Sequence, residues 1–152
     1  MNKLNKIFFL IIFFTVSACG FTPIMSKKNF DFSVKIIETT GNEKINSHIS
    51  QRLNYLSDTK KSETFFLTIE TDLEKTVVSK DSKGDPSIFE LYLIAEISIK
   101  DKNEKEYKRK IDKKNTYNNK TDKFELEQYE EILIKNGSEN IAEEILSYLL
   151  TL

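Results

Sequence analysis

The chain has 152 residues, 39% hydrophobic and 31% charged, with 23 Lys and Arg against 24 Asp and Glu, one Cys, one His, four Gly and no Trp. That length and balance fit one globular domain rather than a disordered or fibrous chain. A lone cysteine excludes an internal disulfide framework and a four-thiolate zinc site, and so few His and Gly leave little for histidine-paired metal centres or glycine-rich phosphate loops.

Residues 1–18 differ in kind from the rest, with no acid, two lysines (Lys3 and Lys6) and a nearly unbroken apolar run from Ile7 to Val16. Ten helical residues reach roughly 15 Å, about half the hydrocarbon thickness a spanning helix must cross, so the run reads as the apolar core of a secretory signal. It leads into Val16-Ser17-Ala18-Cys19-Gly20, which resembles a bacterial lipobox. Small side chains at Ser17 and Ala18 suit a narrow peptidase cleft. Cleavage between Ala18 and Cys19, with acylation of the Cys19 thiol, is the expected processing. Two or three acyl chains hold a protein stably on a bilayer where one holds it only marginally. Gly20 in place of Asp directs such a protein to the outer membrane by the sorting rule of enteric bacteria. The expected organisation is a signal peptide over 1–18, a lipidated tether over 19–29 and a single α/β sandwich domain over 30–152. Loss of Lys3 and Lys6 takes the net charge from -1 to -3.

Along the domain, Phe30, Phe32, Val34 and Ile36 alternate and predict a strand ending near Glu38, with a break over Thr39 to Asn42. Ile45, Ile49, Leu53 and Leu56 recur at spacings of three and four, predicting an amphipathic helix from Glu43 to Ser57 that Asn42 can cap. His48 falls in this helix with no second ligand and reads as an ordinary helix residue. Thr64 to Val78 alternate again, with Phe65, Leu67, Ile69 and Leu73 on one face and Thr68, Glu70 and Asp72 on the other. Turn formers over Ser79 to Ser87 lead to a strand from Ile88 to Lys100. A tight turn at Asp101 to Glu104 leads to the most polar strand, Lys105 to Tyr117, which suits a sheet edge. Leu126, Tyr129, Leu133, Ile141, Ile145 and Leu149 then predict one long helix from Phe124 to Leu150, in which Gly137 permits a kink. The order β-α-β-β-β-α implies an α+β two-layer sandwich, a four-stranded sheet covered by two helices.

Charge is segregated within this plan. Lys100 to Lys123 holds ten basic residues against five acids, and Phe124 onward holds seven acids against Lys135. Two readings stand: the basic strand pairs with the acidic helix, or it offers a surface to an anionic ligand. The carboxylate pairs Glu70 with Asp72 and Glu130 with Glu131 fall on predicted exposed faces, where catalytic tuning of acidity is not expected. No nucleophile elbow, metal-binding His pair or base couple is present, so no catalytic residue, metal ligand or cofactor is expected. A negative exported chain is also a poor nucleic-acid binder.

Cys19-Gly20-Phe21-Thr22-Pro23-Ile24 is similar to the lipidated start of the LPS-assembly lipoprotein family (LptE), in its alphaproteobacterial form. Tyr117-Asn118 before the long helix, Ile141-Ala142-Glu143-Glu144-Ile145 within it and the apolar ending from Leu146 to Leu152 resemble that family's close. The resemblance implies a non-enzymatic outer-membrane lipoprotein that sits in the lumen of a large β-barrel, the LPS translocon subunit LptD. There it plugs the barrel, helps it assemble and assists lipopolysaccharide insertion. Some family members bind lipopolysaccharide through basic residues at one end of the sheet. The loops after the second and fourth strands share an end, because both strands run antiparallel to the third. Lys80, Lys83, Lys120 and Lys123 are therefore candidates to contact lipid phosphates, against the plain reading that they solvate their loops. The alternative role is an auxiliary lipoprotein subunit of a lipid-transport ABC system.

Overall fold

The computed structural model describes residues 30–56 and 63–152. The expected signal peptide, Ala18, Cys19, the expected tether and the motif through Ile24 lie outside the described residues, as does Ser57 at the expected end of the first helix. The elements are β1 (Phe32–Gly41), α1 (Glu43–Leu56), β2 (Glu63–Lys80), β3 (Pro86–Lys100), β4 (Glu106–Asn118) and α2 (Lys123–Leu149). The expected β-α-β-β-β-α order and α+β class hold.

The strands lie in the sheet in chain order, with β1 parallel to β2 and the other pairs antiparallel. On one sheet face Phe65, Leu67, Ile69, Leu91, Leu93, Ala95, Ile97, Ile99 and Ile111 are buried. Ile45, Ile49 and Leu53 of α1 and Ile141, Ala142, Ile145 and Leu149 of α2 close over them. Each fully buried Leu or Ile contributes about 1.5–3 kcal/mol. Lys44 pairs with Glu131, and Arg52 with Glu143 at 2.7 Å, so the contacts advance the same way along both helices, which therefore run parallel. Among the described residues, no helix covers the opposite sheet face.

Two local features depart from the sequence expectation. The first strand does not stop at Glu38. Its register against β2 shifts between Ile36 and Glu38, and this bulge turns Ile37 outward, 64% exposed, before pairing resumes through Gly41. What ends the strand is a polar knot. The Thr71 hydroxyl lies 2.9 Å from Asn46 Oδ1, and Asn46 Nδ2 donates to the Thr40 carbonyl at 2.9 Å. Asn42 Oδ1 accepts from the Ile45 amide at 3.1 Å, as its position before the helix predicts. The second departure is in α2, which runs unbroken through Gly137. That residue is buried against β3, where a Cβ would stand 2.8 Å from Leu93 Cδ2. Gly137 serves close packing, not a kink.

The turns at the two ends of β3 share one geometry. Asp81 Oδ1 accepts from the Lys83 and Asp85 amides at 2.8 and 2.9 Å, and Asp101 Oδ1 accepts from the Asn103 and Lys105 amides at the same distances. In each three-residue loop the last residue is left-handed, Gly84 at φ 90° and Glu104 at φ 61°. A residue with a Cβ pays about 1–2 kcal/mol in that region. Glu104→Gly should therefore raise stability by about 0.5–1 kcal/mol after the extra chain entropy of glycine is subtracted, read as a rise of a few degrees in Tm. An unchanged or lower Tm would mean that the Glu104 side chain contributes more than the strain costs.

Candidate functional site

Beyond Gly41, which pairs with Thr71, β2 continues without β1 beside it from Asp72 to Lys80, paired with the first half of β3. This extension, the end of β4 and the first turns of α2 form a tip that α1 does not cover. The loops after β2 and β4 meet there. The Asn119 amide donates to the Ser87 carbonyl, and Asn119 Nδ2 to the Pro86 carbonyl, both at 2.8 Å. Pro86 is the register partner of Lys80. The sequence expectation that Lys80 and Lys83 share an end with Lys120 and Lys123 is therefore met.

Two of the carboxylates around these lysines, Asp81 and Asp122, are engaged with backbone. Asp81 closes the β2–β3 turn, and Asp122 caps α2 by accepting from the Phe124 and Glu125 amides at 2.8 and 3.2 Å. Lys120 stands 3.7 Å from Glu125 and 5.1 Å from the Tyr129 ring centroid. Among the described residues, the side chains of Lys80, Lys83 and Lys123 have no ion-pair partner. All four lysines are exposed. Apolar side chains stand beside them, with Val77, Val78 and Phe124 also exposed.

Beneath the tip is a network that the sequence reading missed. The Phe89 and Tyr117 rings stack at 5.8 Å, and Tyr129 meets Tyr117 edge-on at 5.9 Å. The Tyr117 hydroxyl donates to Glu130 at 2.7 Å, Lys75 pairs with the same carboxylate at 2.6 Å, and the Lys75 ammonium lies 4.5 Å from the Phe89 centroid. Burial, reinforced by the hydrogen bond to Glu130, pushes the Tyr117 phenol well above its ordinary range. Glu130 is thus half-buried, a correction to its placement on an exposed face. The signal was in the spacing: Glu130 continues the stripe of Leu126, Leu133 and Ile134, one turn from apolar residues on either side.

The uncovered sheet face is rich in charged side chains, with Phe66 and Tyr92 lying under Lys35 and Lys114. Lys110 pairs with Glu96 at 3.0 Å, Lys114 with Glu90 and Lys108 with Glu106 at 3.8 Å, and Ser98 donates to Glu106 at 2.7 Å. Two shallow depressions of about 360 and 420 Å³ lie on it and share Glu70, Glu96 and Lys110. Across the other face Lys113 of β4 pairs with Glu144 of α2. The basic strand is therefore answered partly by the acidic helix and partly by glutamates within the sheet. Among the described residues no His, Cys, Asp and Glu side chains gather in a group that could hold a metal ion. No helix among them is long and apolar enough to cross a membrane.

The fold recurs in solved structures. Rare lipoprotein B from Shewanella oneidensis superposes with a TM-score of 0.59 at 16% identity, over 77% of this chain and 95% of that one. The chain shares its fold with this protein. An uncharacterized lipoprotein B from Nitrosomonas europaea gives 0.52 at 16% identity over 82% and 88% of the two chains. A minor lipoprotein from Acinetobacter baumannii gives 0.50 at 13% identity over 73% and 91%. No protein-family model and no curated protein matches the sequence.

Proposed function

We propose that the chain is an outer-membrane lipoprotein, anchored through acylated Cys19, that plugs and helps assemble the LPS translocon β-barrel LptD and assists lipopolysaccharide insertion. It acts by binding and not by catalysis. The observation that carries this reading is the helix-free sheet face. A four-stranded face that no helix among the described residues covers exposes a large area, and here that area is laid with ion pairs between neighbouring strands. Such a surface suits the wet, polar lumen of a large barrel. The fold shared with solved lipoproteins and the lipobox around Cys19 support the same reading.

At the tip, Lys80, Lys83, Lys120 and Lys123 act as charge-assisted donors to phosphates of lipid A or the inner core. Their neighbouring aspartates hold the turn and the helix cap, which keeps the loops in place. The exposed Val77, Val78 and Phe124 give acyl chains an apolar neighbour.

One experiment tests both parts: a pull-down through a C-terminal tag after mild solubilisation of outer membranes, for the wild-type chain and for K80E/K83E/K120E/K123E. The wild type should recover a large barrel together with lipopolysaccharide. The quadruple variant should keep the barrel and lose about tenfold or more of the lipopolysaccharide, a factor of ten being about 1.4 kcal/mol. Recovery of an inner-membrane ATPase complex would overturn the barrel reading in favour of the ABC-system subunit. Unchanged lipopolysaccharide with the barrel would overturn the role of the lysines.

A further inference from the structure

The end of the domain opposite the tip gathers Phe30, the first described residue, and three exposed side chains, Tyr55, Leu150 and Leu152. Phe30 and Phe32 are buried there, with ring centroids 5.3 Å apart, and Phe32 meets Phe65 edge-on at 5.4 Å. Leu152, the last residue, lines a cavity of about 170 Å³ with Glu63, Phe65, Asn103 and Tyr107, which sets it beside the start of β2 and the β3–β4 turn. The Arg52–Glu143 pair holds the parallel helices in step, so both finish at this pole. Tyr55 is 79% exposed, Leu150 51% and Leu152 43%.

We propose that this pole is a bilayer-seating surface, in which Tyr55, Leu150 and Leu152 enter the headgroup region of a zwitterionic phospholipid leaflet. The inference rests on the acylation of Cys19 put forward above. Eleven residues from Cys19 to Phe30 span at most about 40 Å, and they join the domain at this pole. The tip lies farther off, since the 18 residues of β2 extend roughly 59 Å. Acyl chains on Cys19 therefore hold this pole, rather than the tip, closest to the leaflet. A tyrosine with an apolar body and a polar hydroxyl is suited to the interface, and two leucines at the same level add apolar area. Charge points to a zwitterionic surface. The β3–β4 turn and its flanks offer Lys100, Lys102 and Lys105 against Asp101, Glu104 and Glu106, and Lys102 is already paired with Glu63 at 3.0 Å. Among these described residues no excess of positive charge is left to call for anionic lipid. On a vesicle without the barrel, the domain then stands with its tip directed away from the leaflet.

The test uses the full chain, acylated in the cell, purified and reconstituted into phosphatidylethanolamine and phosphatidylcholine vesicles containing spin-labelled lipid. With the Cys19 thiol acylated, N103C at the pole and S82C at the tip each supply one labelling site for a fluorophore. Flotation with the vesicles and several-fold stronger quenching at position 103 than at 82 are expected. The difference should vanish when Y55K, L150K and L152K are added, all at exposed positions. Failure to float would overturn the acyl anchor and this proposal with it. Flotation with equal quenching at both positions, or quenching at 103 that survives the three lysines, would overturn the seating surface alone.

Discussion

Gly41→Ala should cost more than about 3 kcal/mol, a large share of the 5–15 kcal/mol that holds a typical domain together. A Cβ at this position would stand 1.8 Å from the Thr71 carbonyl oxygen, a backbone atom at the last register pair of β1 with β2. The residue also sits at φ 89°, in the left-handed region. Relief requires β1 to move off β2, and that movement takes with it the Asn42 amide bond to the Thr71 carbonyl at 3.0 Å and the knot around Asn46. Urea unfolding of the variant should show a sharply lowered midpoint. Gly84→Ala separates the two causes, since Gly84 has φ 90° but open space around it. That variant should lose only the conformational term of about 1–2 kcal/mol. Equal losses at the two positions would show that contact with Thr71 is not what matters.

Gly137→Leu should be about as damaging, through the side-chain layer instead of the backbone. Leu93 is fully buried, so its Cδ2 has nowhere to retreat from a Cβ already at 2.8 Å, and three further carbons must force α2 away from β3. A loss above about 3 kcal/mol is expected, with dye binding and weakened near-ultraviolet dichroism as the packing opens. Gly137→Ala is a closer balance. Better helix propensity contributes up to about 1 kcal/mol against an overpacking cost of about 1–3 kcal/mol. Combining it with Leu93→Ala should then cost less than the two changes summed, the signature of neighbours sharing one space. Strict additivity in that cycle would refute the contact.

The class and order of elements were legible in the sequence because each element carries a period. Ile45, Ile49 and Leu53 mark a helix, and Leu91 through Ile99 alternate without interruption. What escaped was the set of positions where polar or small residues act inside those periods. Thr39 to Gly41 looked like a break because their side chains are polar, yet backbone pairing past a bulge needs no apolar face. Thr71 occupies a core-facing place in β2 and ends β1 through its hydroxyl, an interaction between segments far apart in the chain. Glu130 looked exposed because it is charged, although its place in the α2 stripe points it at Tyr117. Part of the candidate site was readable, since the antiparallel arrangement of β2, β3 and β4 puts the four lysines at one end. The Asn119 bonds that join the two loops, and the pole where Phe30 and Leu152 lie at one end of the domain, depend on tertiary packing that no local pattern encodes.

The parallel pairing of β1 with β2 bears on the order in which the molecule can form. β2, β3 and β4 are joined by tight turns and pair with their neighbours in sequence, so their contacts close short loops at small entropic cost. β1 has no partner until α1 and the first part of β2 have been made, and its contacts with β2 span about thirty residues. A chain emerging amino end first thus exposes Phe30, Phe32 and Val34 as an unpaired apolar ribbon before the strand that shelters them exists. The meander forms the template and β1 with α1 docks on it last, which makes the segment nearest the amino end the most exposed to mispairing while folding is incomplete.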